Sequence, residues 1–153
     1  MSSPENFSVQ KPPLIGEIFV KRNLITEKQL SEALLLQEKQ KEFLGEILVK
    51  LGYLQERDIV VALIVQCGLP YIAVNKYDID PQVIKLIPEE LARSLQVITL
   101  DRVGNVLSVV MTNPLNQSMK EQLEQITSCR IATFITTKSE ITEAISRFYR
   151  KGK

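Results

Sequence analysis

LIGEIFVKRNLITEKQLSEALLLQ at residues 14–37 and FLGEILVKLGYLQERDIVVALIVQ at residues 43–66 are two copies of one pattern, offset by 29 positions and identical at 9 of 24. The shared positions include Gly16/Gly45, Glu17/Glu46, Ile18/Ile47, Val20/Val49, Lys21/Lys50, Ala33/Ala62, Leu34/Leu63 and Gln37/Gln66. A repeat of this length is one supersecondary unit, and two copies are too few for a solenoid. Each copy reads as two helices. Ile15, Ile18, Phe19 and Arg22 share a face of the first. Asn23, and Gly52 in the second copy, then break it, since both residue types accept the left-handed conformation that ends helices. Thr26 supplies a cap for the next helix, expected to run to Gln37, with Gln29 as its capping-box partner. Leu30, Ala33, Leu34 and Gln37 follow at helical spacing, as do Ile59, Ala62, Leu63 and Gln66. The five residues between the copies, Glu38 to Glu42, are all polar.

Gly68 and Pro70 mark a change of pattern. Tyr71 to Val74 is β-prone. Asp80-Pro81 opens a short helix through Ile87, with proline in the first turn, and Pro88-Glu89-Glu90 opens another ending near Ser94. Val97–Leu100 and Val106–Met111 read as strands joined through Val103-Gly104-Asn105 into a hairpin. A helix is expected over Gln117–Ile126, a strand over Ile131–Ile135, and a last helix capped by Ser139 and running through Phe148. The fold class is therefore α+β: a tandem helical-hairpin subdomain followed by a small α/β subdomain with a sheet of three or four strands. The expected boundaries are a flexible tail at 1–12, the repeats at 13–69, the α/β part at 70–150 and a frayed end at 151–153.

Composition narrows the function. Nineteen Lys and Arg against 18 Asp and Glu leave no field for nucleic acid or anionic lipid. No apolar run reaches the length of a membrane span, and the polar N-terminus has no signal-peptide core, so the cytoplasm is the expected compartment. With no histidine, Cys/His zinc sites and histidine-based nucleophile systems are excluded. Cys67 and Cys129 lie beside apolar segments and read as free, at least half-buried thiols. No G-x-x-x-x-G-K-[ST] phosphate loop occurs, so the chain carries no P-loop machinery for nucleotide hydrolysis.

The two 24-residue copies and their five-residue spacer resemble the MshEN-type domain, which stands at the N-terminus of type II secretion (GspE-like) and type IV pilus assembly ATPases. That repeat has the pattern R-L-G-x-x-Φ-Φ-x-x-G-Φ-Φ-x-x-x-x-L-x-x-x-L-x-x-Q, with Φ aliphatic. The run LPYIAVNKYDIDPQVIKLIPEELARSLQVITLDRVGNVLSVVMTNPLN at 69–116 is similar to the family's second half, and the likeness extends over about residues 14–149. The resemblance implies a non-catalytic regulatory or docking domain that binds a cytoplasmic region of an inner-membrane secretion or pilus protein. In other members the repeats take cyclic di-GMP. On that alternative the ligand-binding positions are Ile15, Gly16, Gln37, Leu44, Gly45 and Gln66. The glycines would let backbone N–H groups approach a phosphate, and the glutamine amides could read a guanine edge. The same residues have plainer readings: glycines for close helix packing, glutamines on the surface, and Leu30, Leu34, Ile59 and Leu63 in the core. The leading arginine of each motif is replaced, by Leu14 and Phe43, which removes a forked, charge-assisted contact. Lys11 and Lys41 nearby are point charges without that fork. Docking is the preferred expectation, and it requires an exposed apolar patch, placed on the helical half.

Overall fold

The computed structural model describes residues 14–40 and 42–151. The tail expected at 1–12, both nearby lysines Lys11 and Lys41, and residues 152–153 lie outside them. Four helices form the repeat half: α1 Ile15–Lys21, α2 Glu27–Gln40, α3 Leu44–Lys50 and α4 Glu56–Cys67. Asn23 and Gly52 both take positive φ, 61° and 81°, at the break between the helices of each copy. Thr26 and Gln29 make the reciprocal cap: the Gln29 N–H donates to Thr26 Oγ1 at 3.1 Å and the Thr26 N–H donates to Gln29 Oε1 at 2.9 Å. α2 continues past Gln37 to Gln40, so most of the polar spacer is helical. Ile18 and Phe19 of α1, Ala33 of α2, Ile47 and Leu48 of α3 and Ala62 of α4 share one core.

α4 ends at Gly68, where φ is 68°. Beyond a 3-10 turn at Val74–Lys76 come α5 Pro81–Ile84, α6 Glu89–Leu95, β1 Val97–Val103, β2 Val106–Met111, α7 Gln117–Thr127, β3 Arg130–Ile135 and α8 Lys138–Lys151. β2 is the middle strand, antiparallel to β1 and parallel to β3, with the β1 register slipping between Thr99 and Asp101. The parallel pair needs a crossover, and α7 is it. Ile141, Ala144, Ile145 and Phe148 are buried at helical spacing along α8 and pack into the same core as Ile98, Leu107 and Val110 of the sheet.

Among the described residues the sheet has three strands. Tyr71–Val74 is not a fourth: Tyr71 makes one isolated bridge to Ile135. Pro70 has no N–H to extend a ladder, and the chain coils into the 3-10 turn after Ala73. The helix opened by Pro81 closes at Ile84, three residues early, and turns continue to Ile87. Thr137, not Ser139, caps α8, because Thr137 and Glu140 stand in the T-x-x-E arrangement: the Glu140 N–H donates to Thr137 Oγ1 at 3.1 Å.

The halves meet along an apolar seam in which Val60 and Leu63 of α4 join Ile135 of β3, with Leu69 and Leu115 alongside. That seam separates two equivalent residues. Leu63 is fully buried, while its repeat mate Leu34 is 43% exposed and stands outside the buried stripe expected for it. α4 has the sheet half against it; α2 offers the same face without that cover.

Candidate functional site

A cavity of about 230 Å³ lies where the repeat helices meet the loops of the sheet half. One wall is apolar: Ile15, Phe43, Leu44, Val49, Ile59 and Val60. The other is polar and comes from Gln96, Thr112, Asn113 and residues 136–139. Glu46 joins them. It is the third residue of α3, and one of its oxygens, Oε2, accepts the Phe43 N–H at 3.1 Å. Phe43 has no side-chain acceptor, so only the acidic half of a reciprocal cap forms, as with Glu17 and the Leu14 N–H in the first repeat. Glu46 Oε1 accepts from Gln96 Nε2 at 2.9 Å and pairs with Lys138. Gln96 is held in the left-handed region, φ 56° and ψ 56°, and its Oε1 accepts from the Thr112 hydroxyl at 2.8 Å.

Burial would push the Glu46 carboxyl up. The hydrogen bonds from Lys138, Gln96 and the Phe43 N–H, together with the Lys138 charge, outweigh it and hold the group below its ordinary value. A second acidic residue of the cavity, Glu56, is also engaged across the halves. It accepts the Ser139 N–H at 2.8 Å and the Ser139 hydroxyl at 2.6 Å. Lys50, at the rim, pairs with Glu42. The cations of the cavity are therefore already matched with carboxylates, and an incoming anion has to displace one of them. Among the described residues no group of three or more His, Cys, Asp or Glu is placed to hold a metal ion.

Of the six positions expected to bind a ligand, Ile15, Leu44 and Gly45 line this cavity. Gly16 is buried, and a Cβ there would meet Leu30 Cδ1 at 2.7 Å and Leu44 Cδ2 at 3.1 Å. Gln37 donates its amide to the Glu42 carbonyl at 3.0 Å, and Gln66 is exposed; neither lines the cavity. Glu46, Gln96, Thr112, Lys138 and the Glu56–Ser139 pair were not singled out from the sequence as site residues. The recurrence of Glu at positions 17 and 46 was visible, but their partners come from the other half of the chain and leave no local signal.

Outside the cavity, Val61, Ile64 and Val65 are exposed along one side of α4, at 51%, 37% and 61%, and Leu34 and Leu35 are exposed on α2. This is where an apolar patch was expected. Both cysteines are free, Cys67 half-buried and Cys129 buried.

The MshEN domain profile matches residues 67–153, which take in the end of α4 and the whole sheet half. The type IV pilus assembly ATPase PilB of Myxococcus xanthus is 36% identical over 135 residues, 88% of this chain and 24% of the relative. PilB of Thermus thermophilus is 32% identical over 84 residues, 54% of this chain and 9% of the relative. The chain thus spans about a quarter or less of the curated relatives it matches. Among solved structures, MshE with cdg (cyclic di-GMP) superposes with a TM-score of 0.69 at 27% identity, covering 90% of this chain and 99% of that one. The N-terminal domain of XpsE shares the fold, with a TM-score of 0.70 at 17% identity over 87% and 92% of the two chains.

Proposed function

Since the chain belongs to the MshEN domain family, we propose that it is a non-catalytic docking and regulatory domain of a pilus-assembly or type II secretion ATPase, seated on a cytoplasmic region of an inner-membrane partner. The observation that carries this reading is the exposed stripe Val61, Ile64 and Val65 on α4. Residues at i, i+3 and i+4 share one helix face, and a contiguous apolar face is a feature that monomeric surfaces tend to keep small unless it binds something. No helix among the described residues is long and apolar enough to cross a membrane. The division into a repeat subdomain at 13–69 and an α/β subdomain at 70–150 belongs to the same proposal, and the two hydrophobic clusters support it.

The test is a calorimetric titration of the domain with the cytoplasmic region of the pilus or secretion inner-membrane protein from the same organism. Wild type binds, and Val61→Glu/Val65→Glu binds at least tenfold more weakly with an unchanged thermal midpoint. Equal binding by the variant would remove the stripe from the interface, and no binding by wild type would remove the docking reading.

A second reading, a cyclic di-GMP receptor, is favoured by the 27% identity to MshE with cdg over nearly the whole of both chains and by the placement of Ile15, Leu44 and Gly45 in one cavity. Against it stand the missing arginines at positions 14 and 43 and the carboxylate-matched cations. Titration with cyclic di-GMP separates the two: on the docking reading no heat is released at high micromolar ligand.

A further inference from the structure

We infer that the Glu46–Lys138 pair is the closing contact of the cavity, a latch that holds the repeat half and the sheet half together and whose release lets them part about the apolar seam. The inference does not depend on which partner or ligand the domain takes.

The halves are joined by contacts of two kinds. The seam is apolar: Leu63, Cys67 and Leu69 lie on its side toward the chain crossover, outside the cavity lining, and Ile15, Ile59 and Val60 carry it into the cavity wall. The polar contacts, Glu46 with Lys138 and Gln96, and Glu56 with Ser139, are made by residues that line the cavity. Apolar seams tolerate small rotations, since burial is not directional. Charge-assisted hydrogen bonds are directional and are lost when the groups separate. The latch is also asymmetric. The Glu46 side chain is 11% exposed and that of Lys138 is 43% exposed. The cation can swing into water, while the carboxylate left behind would keep Gln96, the Phe43 N–H and only the charge of Lys50, which Glu42 already holds. Closure is therefore favoured while Lys138 stays, and opening gives Glu46 back to water. The first repeat has no such device, for Glu17 is exposed.

One amide reports on the latch. Ser139 is in the first turn of α8, so its N–H has no acceptor within the helix, and it donates instead across the halves to Glu56. It hydrogen-bonds neither Glu46 nor Lys138, but it follows Lys138 in the chain, so its rates are compared as protection factors with the intrinsic exchange of each sequence divided out. Hydrogen exchange measured by NMR on the full chain compares wild type, Lys138→Gln and Lys138→Arg. Lys138→Gln should speed exchange at the Ser139 N–H by about tenfold or more while the amides of β2 keep their rates. Lys138→Arg, which retains the charge, should restore slow exchange at Ser139. An unchanged Ser139 rate in Lys138→Gln would overturn the latch, because the pair would then be a local contact only. So would a rise at Ser139 matched by an equal rise in β2, since that is loss of global stability and not parting of the halves.

Discussion

A Cβ on Gly16 would lie 2.7 Å from Leu30 Cδ1, so α1 lies against α2 at a distance where any side chain at position 16 forces Leu30 to move. The second repeat is looser at the same place: a Cβ on Gly45 would meet Ile59 Cδ1 at 3.1 Å and nothing else within 4 Å. Alanine is favoured over glycine inside helices by about 1 kcal/mol, and overpacking costs about 1–3 kcal/mol. Gly16 would also press on Leu44 at 3.1 Å. Gly16→Ala is therefore expected to destabilise by about 1 kcal/mol net, and Gly45→Ala to be neutral or slightly stabilising. Urea denaturation of the two variants decides it. A Gly16→Ala protein as stable as Gly45→Ala would show that Leu30 yields without cost and that the glycine is there for another reason.

Glu46 makes stability depend on acid. Its folded-state value is held below the ordinary 4.5 by Lys138, Gln96 and the Phe43 N–H acting against burial. A group whose value is depressed on folding binds more protons in the unfolded chain, so its contribution is fully present above the ordinary value and is lost as pH falls through the folded-state value. The thermal midpoint of wild type should thus drop as pH falls below about 4.5, and Glu46→Gln should flatten that part of the curve while lowering the plateau at neutral pH. Parallel curves for the two proteins would mean that other carboxylates carry the acid limb.

Much of the fold could be read locally. Thr26 with Gln29, Asn23 and Gly52 in the left-handed region, and Asp80 before Pro81 each act on residues a few positions away. Asp80 caps by accepting the Gln82 N–H at 2.9 Å. The α8 stripe from Ile141 to Phe148 is pure periodicity. What escaped was long-range. Ser139 has the chemistry of a cap, and its hydroxyl is spent on Glu56 instead. Leu34 and Leu63 are the same residue at the same repeat position, yet one is exposed and the other buried, because Leu63 of α4 joins Ile135 of β3 in the seam and Leu34 does not. The site was half legible for the same reason. The apolar wall comes from the repeats, whose pattern is in the sequence, and the polar wall comes from Gln96, Thr112 and residues 136–139, which no spacing rule connects to Glu46.

Tyr149 ties the last helix to the segment before α6. Its hydroxyl donates to the Ile87 carbonyl at 2.6 Å in a buried setting, with Tyr149 8% exposed. Tyr149→Phe keeps the ring and leaves that carbonyl without the bond. A buried acceptor stripped of its partner costs about 1–3 kcal/mol, so denaturant unfolding should show a loss in that range with an unchanged slope. A loss below about 0.5 kcal/mol, the scale of ordinary surface changes, would mean that another donor or water reaches Ile87.

The dinucleotide reading can be tested by gain as well as by loss. Phe43 is on the cavity wall, and Leu14 is 70% exposed at the matching position of the first repeat. Both stand where the resembling motif carries arginine. Phe43→Arg puts a guanidinium at the cavity edge three residues before Glu46, whose oxygens are already taken by Lys138, Gln96 and the Phe43 N–H. With three of that carboxylate's roughly four acceptor sites occupied, little is left there for the new cation, which is then available to a phosphate or a guanine. A hydrogen bond to a charged group is worth about 1.5–3 kcal/mol, which is about ten- to a hundredfold in affinity for each arginine that engages. If the repeats retain the geometry of a receptor, Leu14→Arg/Phe43→Arg should bind cyclic di-GMP by calorimetry at least tenfold more tightly than wild type, with GTP unaffected. A double variant that folds, melts like wild type and still releases no heat would show that the arginines are not all that is missing, and would leave the cavity to the contacts between the two halves.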